Sequence, residues 1–318
     1  MSPVHRVAHR LLLTVALLCA LVSPAAAQSL DFPQPADFDS DRALAHAYHL
    51  SETIGDRPGG SVGEQVSAGW LAGQFATLGY DVRIQPFPLY RYGNSLIGMN
   101  VIATREGLPG YGVLYAGAHY DTVERISGFD YGGPGANDNA SGVSVLLELA
   151  QLYAAIPLTP TLTLIAFGGE EDGLAGSRHF VRQLPVGVRF LAQGMLNFDC
   201  VGVGDELHLY YQGESDREFA ETLPVDADQI QRLRSGSSDH VSFSDNGIPA
   251  VLFSMYTPGN PCGPHYHRPS DTHDTLERAA IERTGRAAVQ ALQHLMETAT
   301  PRSANLRYLP FIAHTTSQ

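Results

Sequence analysis

Apolar and polar residues follow two patterns along the chain, and these patterns predict strands and helices. Short apolar runs rich in β-branched residues are typical of buried strands, and they cover residues 112–117, 161–165, 190–198, 206–211 and 249–255. Apolar residues at helical spacing cover residues 41–54, 61–78, 174–184 and 274–297. Residues 81–87 and 96–104 alternate like paired strands at a sheet edge. Together these segments predict an α/β fold with a mixed, largely parallel central sheet, helices on both faces and a single domain.

The two ends of the chain differ in composition from the segment between them. Residues 1–27 combine a basic start, an apolar stretch at residues 11–22 and the sequence Ala25-Ala26-Ala27, which together predict a signal peptide. We therefore expect a secreted or periplasmic protein. We expect no membrane span after signal cleavage, since no later segment is long and apolar enough. The other predicted boundaries are an N-terminal extension at residues 28–40, a main domain at 41–299 and a C-terminal tail at 300–318.

The charge balance and the cysteines narrow the choice of function and compartment. The 20 basic residues, of which Arg6 and Arg10 lie in the predicted signal peptide, face 33 acidic residues. This balance argues against a nucleic-acid partner, because binding phosphates requires a basic surface. Cys200 and Cys262 remain after cleavage of the leader. They fit either a disulfide formed in an oxidising compartment or two free buried thiols.

Side chains with metal-binding chemistry follow several of the predicted strands or lie in nearby loops. They are His119 and Asp121, Asp138, the pair Glu170 and Glu171, Asp199, the pair Asp239 and His240, and His267. In an open α/β sheet, ligands bind outside the carboxyl ends of the strands. Taken singly, each has an ordinary explanation: a solvated acidic turn, a helix N-cap at Asp138, or a chance His-x-Asp pair. Asp239 and His240 either line the pocket or pair with each other.

Five of these residues form a candidate ligand set: His119, Asp138, Glu171, Asp199 and His267. Carboxylates mixed with imidazoles, without thiolates, are typical of zinc in a catalytic site rather than in a closed structural one. One ion with an open position does not need five protein ligands, whereas two ions that share a carboxylate do. We therefore predict two Zn²⁺ ions at this end of the sheet.

Six short segments recur in an order that resembles a known family. They are His119-Tyr-Asp121, Asn137-Asp138-Asn139, Glu170-Glu171, Asn197-Phe-Asp199, Ser238-Asp239-His240, and Tyr266-His267 with Ser270-Asp271-Thr272. Over about residues 40–300, the chain resembles the secreted co-catalytic di-zinc aminopeptidases, which are relatives of glutamate carboxypeptidases and glutaminyl cyclases. The resemblance implies the fold of that family and a zinc peptidase domain at residues 41–299.

The resemblance also implies a role for each ligand. One zinc ion is held by His119 and Asp199, the other by Glu171 and His267, and Asp138 bridges the two ions. In this family the bridging carboxylate often lies beside a cis peptide bond.

The catalytic roles are implied in the same way. Glu170 falls on the family's general base, which takes a proton from zinc-bound water so that the resulting hydroxide attacks the peptide carbonyl. Tyr266 matches a donor to the developing oxyanion, and Asp121 orients His119. Carboxylates that the metal does not use hold the free α-ammonium group of the substrate, and Asp239 and His240 are candidates for the substrate pocket.

The function hypothesis is therefore an exported di-zinc aminopeptidase that acts on peptides with a free N-terminus. A dipeptidase or carboxypeptidase of the same superfamily is the nearest alternative, and it would need a cationic pocket. Candidate cations for that pocket are Arg178, Arg182, Arg232, Arg234 and Arg268. A glutaminyl cyclase fits less well, because that branch works with one zinc ion. A non-catalytic binding protein on this fold would be expected to have lost ligands or the base, and none is lost here.

Overall fold

The computed structural model describes residues 32–234 and 236–302. The predicted signal peptide, the start of the N-terminal extension and residues 303–318 of the predicted tail lie outside this range. From residue 32 onward the described chain belongs to one compact unit. No helix in the described part combines the length and apolar character needed to cross a bilayer.

A single mixed sheet forms the centre of the fold. Its strands are β1 (Asp81–Arg91), β2 (Asn94–Arg105), β3 (Val113–His119), β4 (Thr161–Phe167), β5 (Ala192–Phe198), β6 (Glu206–Tyr211), β7 (Gln229–Arg232), β8 (Ala250–Thr257) and β9 (Asn260–Pro261). Their order across the sheet is β1-β2-β4-β3-β5-β8-β6-β7, and β9 pairs with β8. The four central strands β4, β3, β5 and β8 run parallel. β1 and β2, the predicted paired strands at the sheet edge, form an antiparallel hairpin, and β2 also runs antiparallel to β4. The predicted mixed sheet is confirmed, with its continuous parallel part at the centre.

Eight α-helices are described, and they cover the sheet in two groups. They are α1 (Ser40–Tyr48), α2 (Val62–Thr77), α3 (Ser141–Tyr153), α4 (Ala175–Gln183), α5 (Val186–Leu191), α6 (Glu214–Thr222), α7 (His240–Ser244) and α8 (Arg278–Thr298). Helices α1, α3 and α8 pack against one another, whereas α4 packs against α7. On the α4 and α7 side, Tyr115 of β3 contacts the rings of Phe180 and Phe243. Because neighbouring strand residues point to opposite faces, Leu114 and Ala116 face the other layer, where α3 packs on β3.

Two segments differ from the sequence prediction in their structure. Residues 190–198 read as one strand, but α5 ends at Leu191 and β5 begins only at Ala192. Phe190 is 77% exposed, so the apolar run crosses from a surface helix into the core. The charged sequence of residues 214–236 predicts an irregular segment with helical tendency, whereas the structure has α6 followed by the short edge strand β7. β7 carries polar residues on an exposed edge and has no apolar periodicity that would reveal it.

A disulfide joins Cys200 to Cys262, with their Cα atoms 4.9 Å apart. Cys200 lies two residues after β5, and Cys262 directly follows β9. Of the two alternatives left open by the sequence, the structure has the bridge. The bridge ties the loop that begins with Asp199 to the loop that carries His267.

Candidate active site

The carboxyl ends of three neighbouring parallel strands bring the candidate ligands together. His119 is the last residue of β3, Asp199 directly follows β5, and the Glu170-Glu171 pair follows β4 after two glycines. β3 pairs with both β4 and β5, so these three strand ends lie side by side. The sheet therefore positions these four side chains at one edge, as expected for an open α/β fold.

His119 lies at the centre of one group of ligand atoms. Its Nε2 atom is 3.2 Å from Oδ1 of Asp138 and 3.4 Å from Oδ1 of Asp199. Potential ligand atoms of these three residues all lie within 4.8 Å of one another. His119 is 1% exposed and Asp138 is 5% exposed, so this group faces little water.

His267 forms a second group, which shares Asp138 with the first. Its Nε2 atom is 3.2 Å from Oδ2 of Asp138 and 3.1 Å from Oε1 of Glu171. Each oxygen of the Asp138 carboxylate therefore faces a different histidine. The structure brings all five candidate ligands into two adjoining groups joined at this carboxylate.

The donor set of these groups fits metal ions. A neutral imidazole that donates from Nδ1 can only accept at Nε2, whereas an ionised carboxylate can only accept. The Nδ1 atom of His119 is 3.2 Å from the carbonyl oxygen of Asp121, so Nε2 is left to face two carboxylates. Oδ2 of Asp138 is buried without a hydrogen-bond partner in the described residues. A cation between these acceptors satisfies them, and nitrogen and oxygen ligands without thiolates suit zinc.

The pKa values of the site residues also indicate that the ligand groups need positive charge. Burial and the neighbouring Asp138 charge raise the pKa of Glu171 to about 7, against the hydrogen bond of His267. Burial raises the pKa of Glu170 well above its ordinary value, and the Glu171 charge adds to this effect. Burial lowers the pKa of His267, but the nearby carboxylates of Asp138 and Glu171 outweigh that effect and raise the pKa to about 10. The cluster is therefore stable only when protons or other cations balance its carboxylates.

Asp121 connects the histidine to the glutamate turn. Its carboxylate accepts the backbone N–H of Glu170 at 3.0 Å and that of Glu171 at 3.2 Å. Oδ1 of the same carboxylate lies 3.6 Å from Nδ1 of His119. Asp121 is fully buried, so this one side chain relates the imidazole to both glutamates. The third acid of the turn, Asp172, instead forms an ion pair with Arg91 at 2.7 Å.

A buried aspartate that the sequence reasoning left without a role holds the Asp138 turn. The carboxylate of Asp271 accepts the N–H of Asn137 at 2.8 Å and the N–H of Asp138 at 3.0 Å. The peptide bond between Asp138 and Asn139 is cis. The side-chain amide of Asn139 donates to the carbonyl oxygen of Phe198, one residue before Asp199. The only signal for Asp271 in the sequence was its place in the Ser270-Asp271-Thr272 segment.

Tyr266 and Tyr131 flank the imidazole of His267. The Tyr266 ring stacks on that imidazole with the ring centroids 3.7 Å apart, and Tyr131 meets it edge-on at 5.9 Å. Tyr266 is 45% exposed and lines a cleft of about 570 Å³, together with His119, Glu170 and Asp199. The Tyr266 side chain thus lies at the boundary between the ligand groups and the open cleft.

Asp239 and His240 lie behind the site rather than in the cleft. Both are fully buried, and neither lines the cleft. Their side-chain polar atoms have no hydrogen-bond partner among the described residues, so they do not pair with each other. Burial raises the pKa of Asp239 to about 7 and lowers that of His240 to about 4, which favours the neutral form of both. The structure therefore does not bring these two predicted substrate contacts to the substrate side.

Arg57, in the loop before α2, is a buried residue that sequence reasoning missed. Its guanidinium is fully buried and donates only to backbone carbonyls. The acceptors, at 2.6–3.1 Å, belong to Leu50, Gly55, Tyr120, Pro134 and Gly135. Tyr120 lies between His119 and Asp121, and Gly135 precedes the Asp138 turn. Arg57 thus fastens two loops that carry candidate ligands.

Replacing Arg57 by Met is expected to lower the free energy of unfolding by about 3 kcal/mol or more. The substitution leaves several buried carbonyls without a donor, and each such loss costs about 1–3 kcal/mol without strict additivity. Urea unfolding of the two proteins measures the difference. Arg83→Met is the matched control, because Arg83 is exposed and has no side-chain partner among the described residues. Equal transition midpoints for Arg57→Met and the parent chain would show that these hydrogen bonds do not matter.

Comparison with known proteins places this geometry among peptidases. The model of peptidase family M28 matches residues 100–292, which contain all five candidate ligands. Aminopeptidase YwaD of Bacillus subtilis is 34% identical over 185 residues, which are 54% of this chain and 39% of YwaD. The chain spans less than two thirds of the length of the first curated relatives it matches.

Solved structures show the same fold at lower identity. A zinc aminopeptidase from Bacillus subtilis superposes with a TM-score of 0.69 at 22% identity, covering 80% of this chain and 94% of that one. A glutaminyl cyclase from Porphyromonas gingivalis superposes with a TM-score of 0.65 at 23% identity, covering 81% of this chain and 98% of that one. The fold is therefore common to peptidases and cyclases, and the site must decide between them.

Proposed function

Because this chain belongs to peptidase family M28, we propose that it is a di-zinc aminopeptidase that releases residues from the free N-termini of peptides. One observation carries the proposal, namely the two ligand groups that share the Asp138 carboxylate. A site for one ion would not need a carboxylate that faces a histidine on each side. The related aminopeptidases support the same reaction.

Two of the groups of close ligand atoms support a division of the ligands between two ions. His119 and Asp199 would hold one ion, Glu171 and His267 would hold the other, and Asp138 would be a ligand common to both. When bound, zinc supplies the positive charge that polarises the peptide carbonyl and stabilises the developing oxyanion. Asp121 keeps the His119 ring in place through Nδ1, which leaves Nε2 free for the metal.

Glu170 moves the proton in this scheme. Its side chain belongs to no salt bridge within the described residues, whereas that of the adjacent Glu171 pairs with His267. The Asp121 carboxylate accepts the N–H groups of both glutamates and so fixes the turn, which supports a division of roles with Glu171 as a ligand and Glu170 as the base. Glu170 accepts a proton from the attacking water and returns it to the leaving amine. The hydroxyl of Tyr266, at the edge of the cleft, donates to the oxyanion.

The acidic residues of the cleft indicate the substrate, and the predicted signal peptide indicates where the enzyme acts. The end of the cleft that contains Glu170, Glu171 and Asp199 is acidic, which suits the α-ammonium group of an N-terminus. The signal peptide predicted at residues 1–27 supports export, so we propose that the enzyme acts on peptides outside the cytoplasm.

A peptide panel tests the aminopeptidase proposal. Leu-Gly-Gly-amide has a free N-terminus, and N-acetyl-Leu-Gly-Gly-amide is the matched blocked peptide. We expect release of Leu from the first and no cleavage of the second, because acetylation removes the ammonium charge. Mass spectrometry of the products identifies the bond that is cut. Equal cleavage of both peptides would rule out recognition of a free N-terminus.

A dipeptidase or carboxypeptidase is the second candidate, and one observation favours it. Of the five arginines considered for a carboxylate pocket, Arg232 and Arg234 line the cleft. The other three do not line it, and Arg268 forms an ion pair with Asp130. Removal of the C-terminal residue from N-acetyl-Leu-Gly-Gly would establish this alternative and contradict the aminopeptidase proposal.

A further inference from the structure

Side chains of opposite charge line the cleft. Asp138, Glu170, Glu171 and Asp199 are acidic, and Arg232 and Arg234 are basic. Both arginines are exposed, and neither forms a side-chain hydrogen bond or ion pair within the described residues. Other arginines in the described residues pair with acids, as Arg91 does with Asp172 and Arg42 with Glu148. Two guanidinium groups are thus left facing the cleft in a protein with 33 acidic residues.

The backbone that carries these arginines is held in place. Arg232 is the last residue of β7, where it pairs with Tyr211 of β6. The N–H of Leu233 donates to the carbonyl oxygen of Tyr211 at 2.9 Å. On the same wall, the side chain of Gln231 lies 3.0 Å from Nδ1 of His208. Arg232 therefore lines the cleft from a strand that is fixed to the sheet, and Arg234 lines it from two residues beyond the end of that strand.

A ligand that complements both sets of side chains carries a positive and a negative charge. The carboxylates suit an ammonium group, and a guanidinium matches the planar geometry of a carboxylate. A cleft of about 570 Å³ is of the size that holds a small ligand. A short peptide with a free N-terminus and a nearby carboxylate meets all three conditions.

We propose that Arg232 and Arg234 form a carboxylate subsite, so that the enzyme prefers short peptides whose carboxylate reaches this wall. The proposal rests on the aminopeptidase function and adds its substrate class. The carboxylate has two possible sources, the C-terminus of a di- or tripeptide or an acidic side chain after the scissile bond. Arginines at this position attract either source and disfavour a second ammonium group.

The test compares pairs of peptides that differ only in one negative charge. Leu-Gly-Gly against Leu-Gly-Gly-amide probes the C-terminal carboxylate, and Leu-Glu-Gly-amide against Leu-Gln-Gly-amide probes the side chain. We expect kcat/KM to be roughly 10- to 100-fold higher for the charged member of at least one pair, the range for hydrogen bonds to a charged group. In the Arg232→Gln Arg234→Gln double variant, that ratio should fall to near one.

Controls separate the subsite from other effects. Arg178→Gln Arg182→Gln removes two exposed arginines of α4 that do not line the cleft, and it should keep the parent ratio. The Arg232→Lys Arg234→Lys variant should keep part of the preference, because it retains the charge but loses the guanidinium fork. A parent ratio near one in both pairs, or a preference that survives in the glutamine variant, would overturn the subsite. Lack of cleavage of every peptide, including the amides, would instead overturn the aminopeptidase function itself.

Discussion

Replacing Glu170 by Gln is expected to lower kcat by about 10²- to 10⁴-fold while metal binding is retained. The range is the usual contribution of a positioned general base. Glutamine keeps the shape of the side chain but cannot accept the proton of the attacking water. Because Glu171 and not Glu170 pairs with His267, the ligand groups should remain intact. Steady-state hydrolysis of Leu-Gly-Gly-amide measures kcat, and elemental analysis of the same sample measures zinc.

The neighbouring acid provides the matched control for this variant. Asp172 lies in the same turn, but its carboxylate is paired with Arg91 and does not line the cleft. Asp172→Asn should therefore keep most of the activity, and any loss should be a lower free energy of unfolding. Glu170 is not the base if Glu170→Gln keeps a parent-like kcat. It is a ligand instead if the variant loses zinc in step with activity.

Replacing Asp138 by Ala is expected to have the largest effect on metal binding. Replacing a residue that hydrogen-bonds to a metal ligand typically costs 10- to 100-fold in metal affinity. Removal of a ligand that is common to both ions should therefore cost more than ~100-fold. Activity should fall with it, because the remaining ligands no longer hold the two ions close together. Isothermal titration with zinc measures the affinity, and hydrolysis of the same peptide measures the activity.

A substitution at Asp271 provides a comparison with a smaller expected loss of zinc affinity. Its carboxylate holds the N–H groups of Asn137 and Asp138 but does not belong to either ligand group. Asp271→Asn should therefore cost only about 10- to 100-fold in zinc affinity. An Asp138→Ala protein that binds zinc as tightly as the parent chain would show that Asp138 is not a ligand. Circular dichroism on each variant separates loss of ligands from loss of fold.

The predicted fold agrees with the structure where apolar runs in the sequence marked the buried strands and polar residues marked the ends of those strands. Apolar runs located the parallel strands β3, β4, β5 and β8, because buried strands need continuous apolar surface. The polar residues after those runs then had to meet at one edge of the sheet. For this reason His119, Asp199 and the Glu170-Glu171 pair were named together from sequence, and the structure places them together.

Other parts of the site depend on contacts that leave no local pattern. Arg57 reads as an ordinary loop residue, and only the folded chain shows the backbone carbonyls that surround it. The edge strand β7 has no apolar alternation, so the sequence offers Arg232 and Arg234 only as two of five candidate cations and does not distinguish them as the pair that lines the cleft. Asp239 and His240 belong to a segment that matches the family, yet order along the chain does not tell a cleft residue from a buried one.

The central claim is that two metal ions share the Asp138 carboxylate, and counting zinc in the purified mature protein tests it most directly. Metal-stripped protein is titrated with zinc, and bound zinc and peptide hydrolysis are measured at each addition. We predict saturation at two zinc ions per chain, with full activity only after the second ion binds. Saturation at one ion per chain with full activity would contradict it.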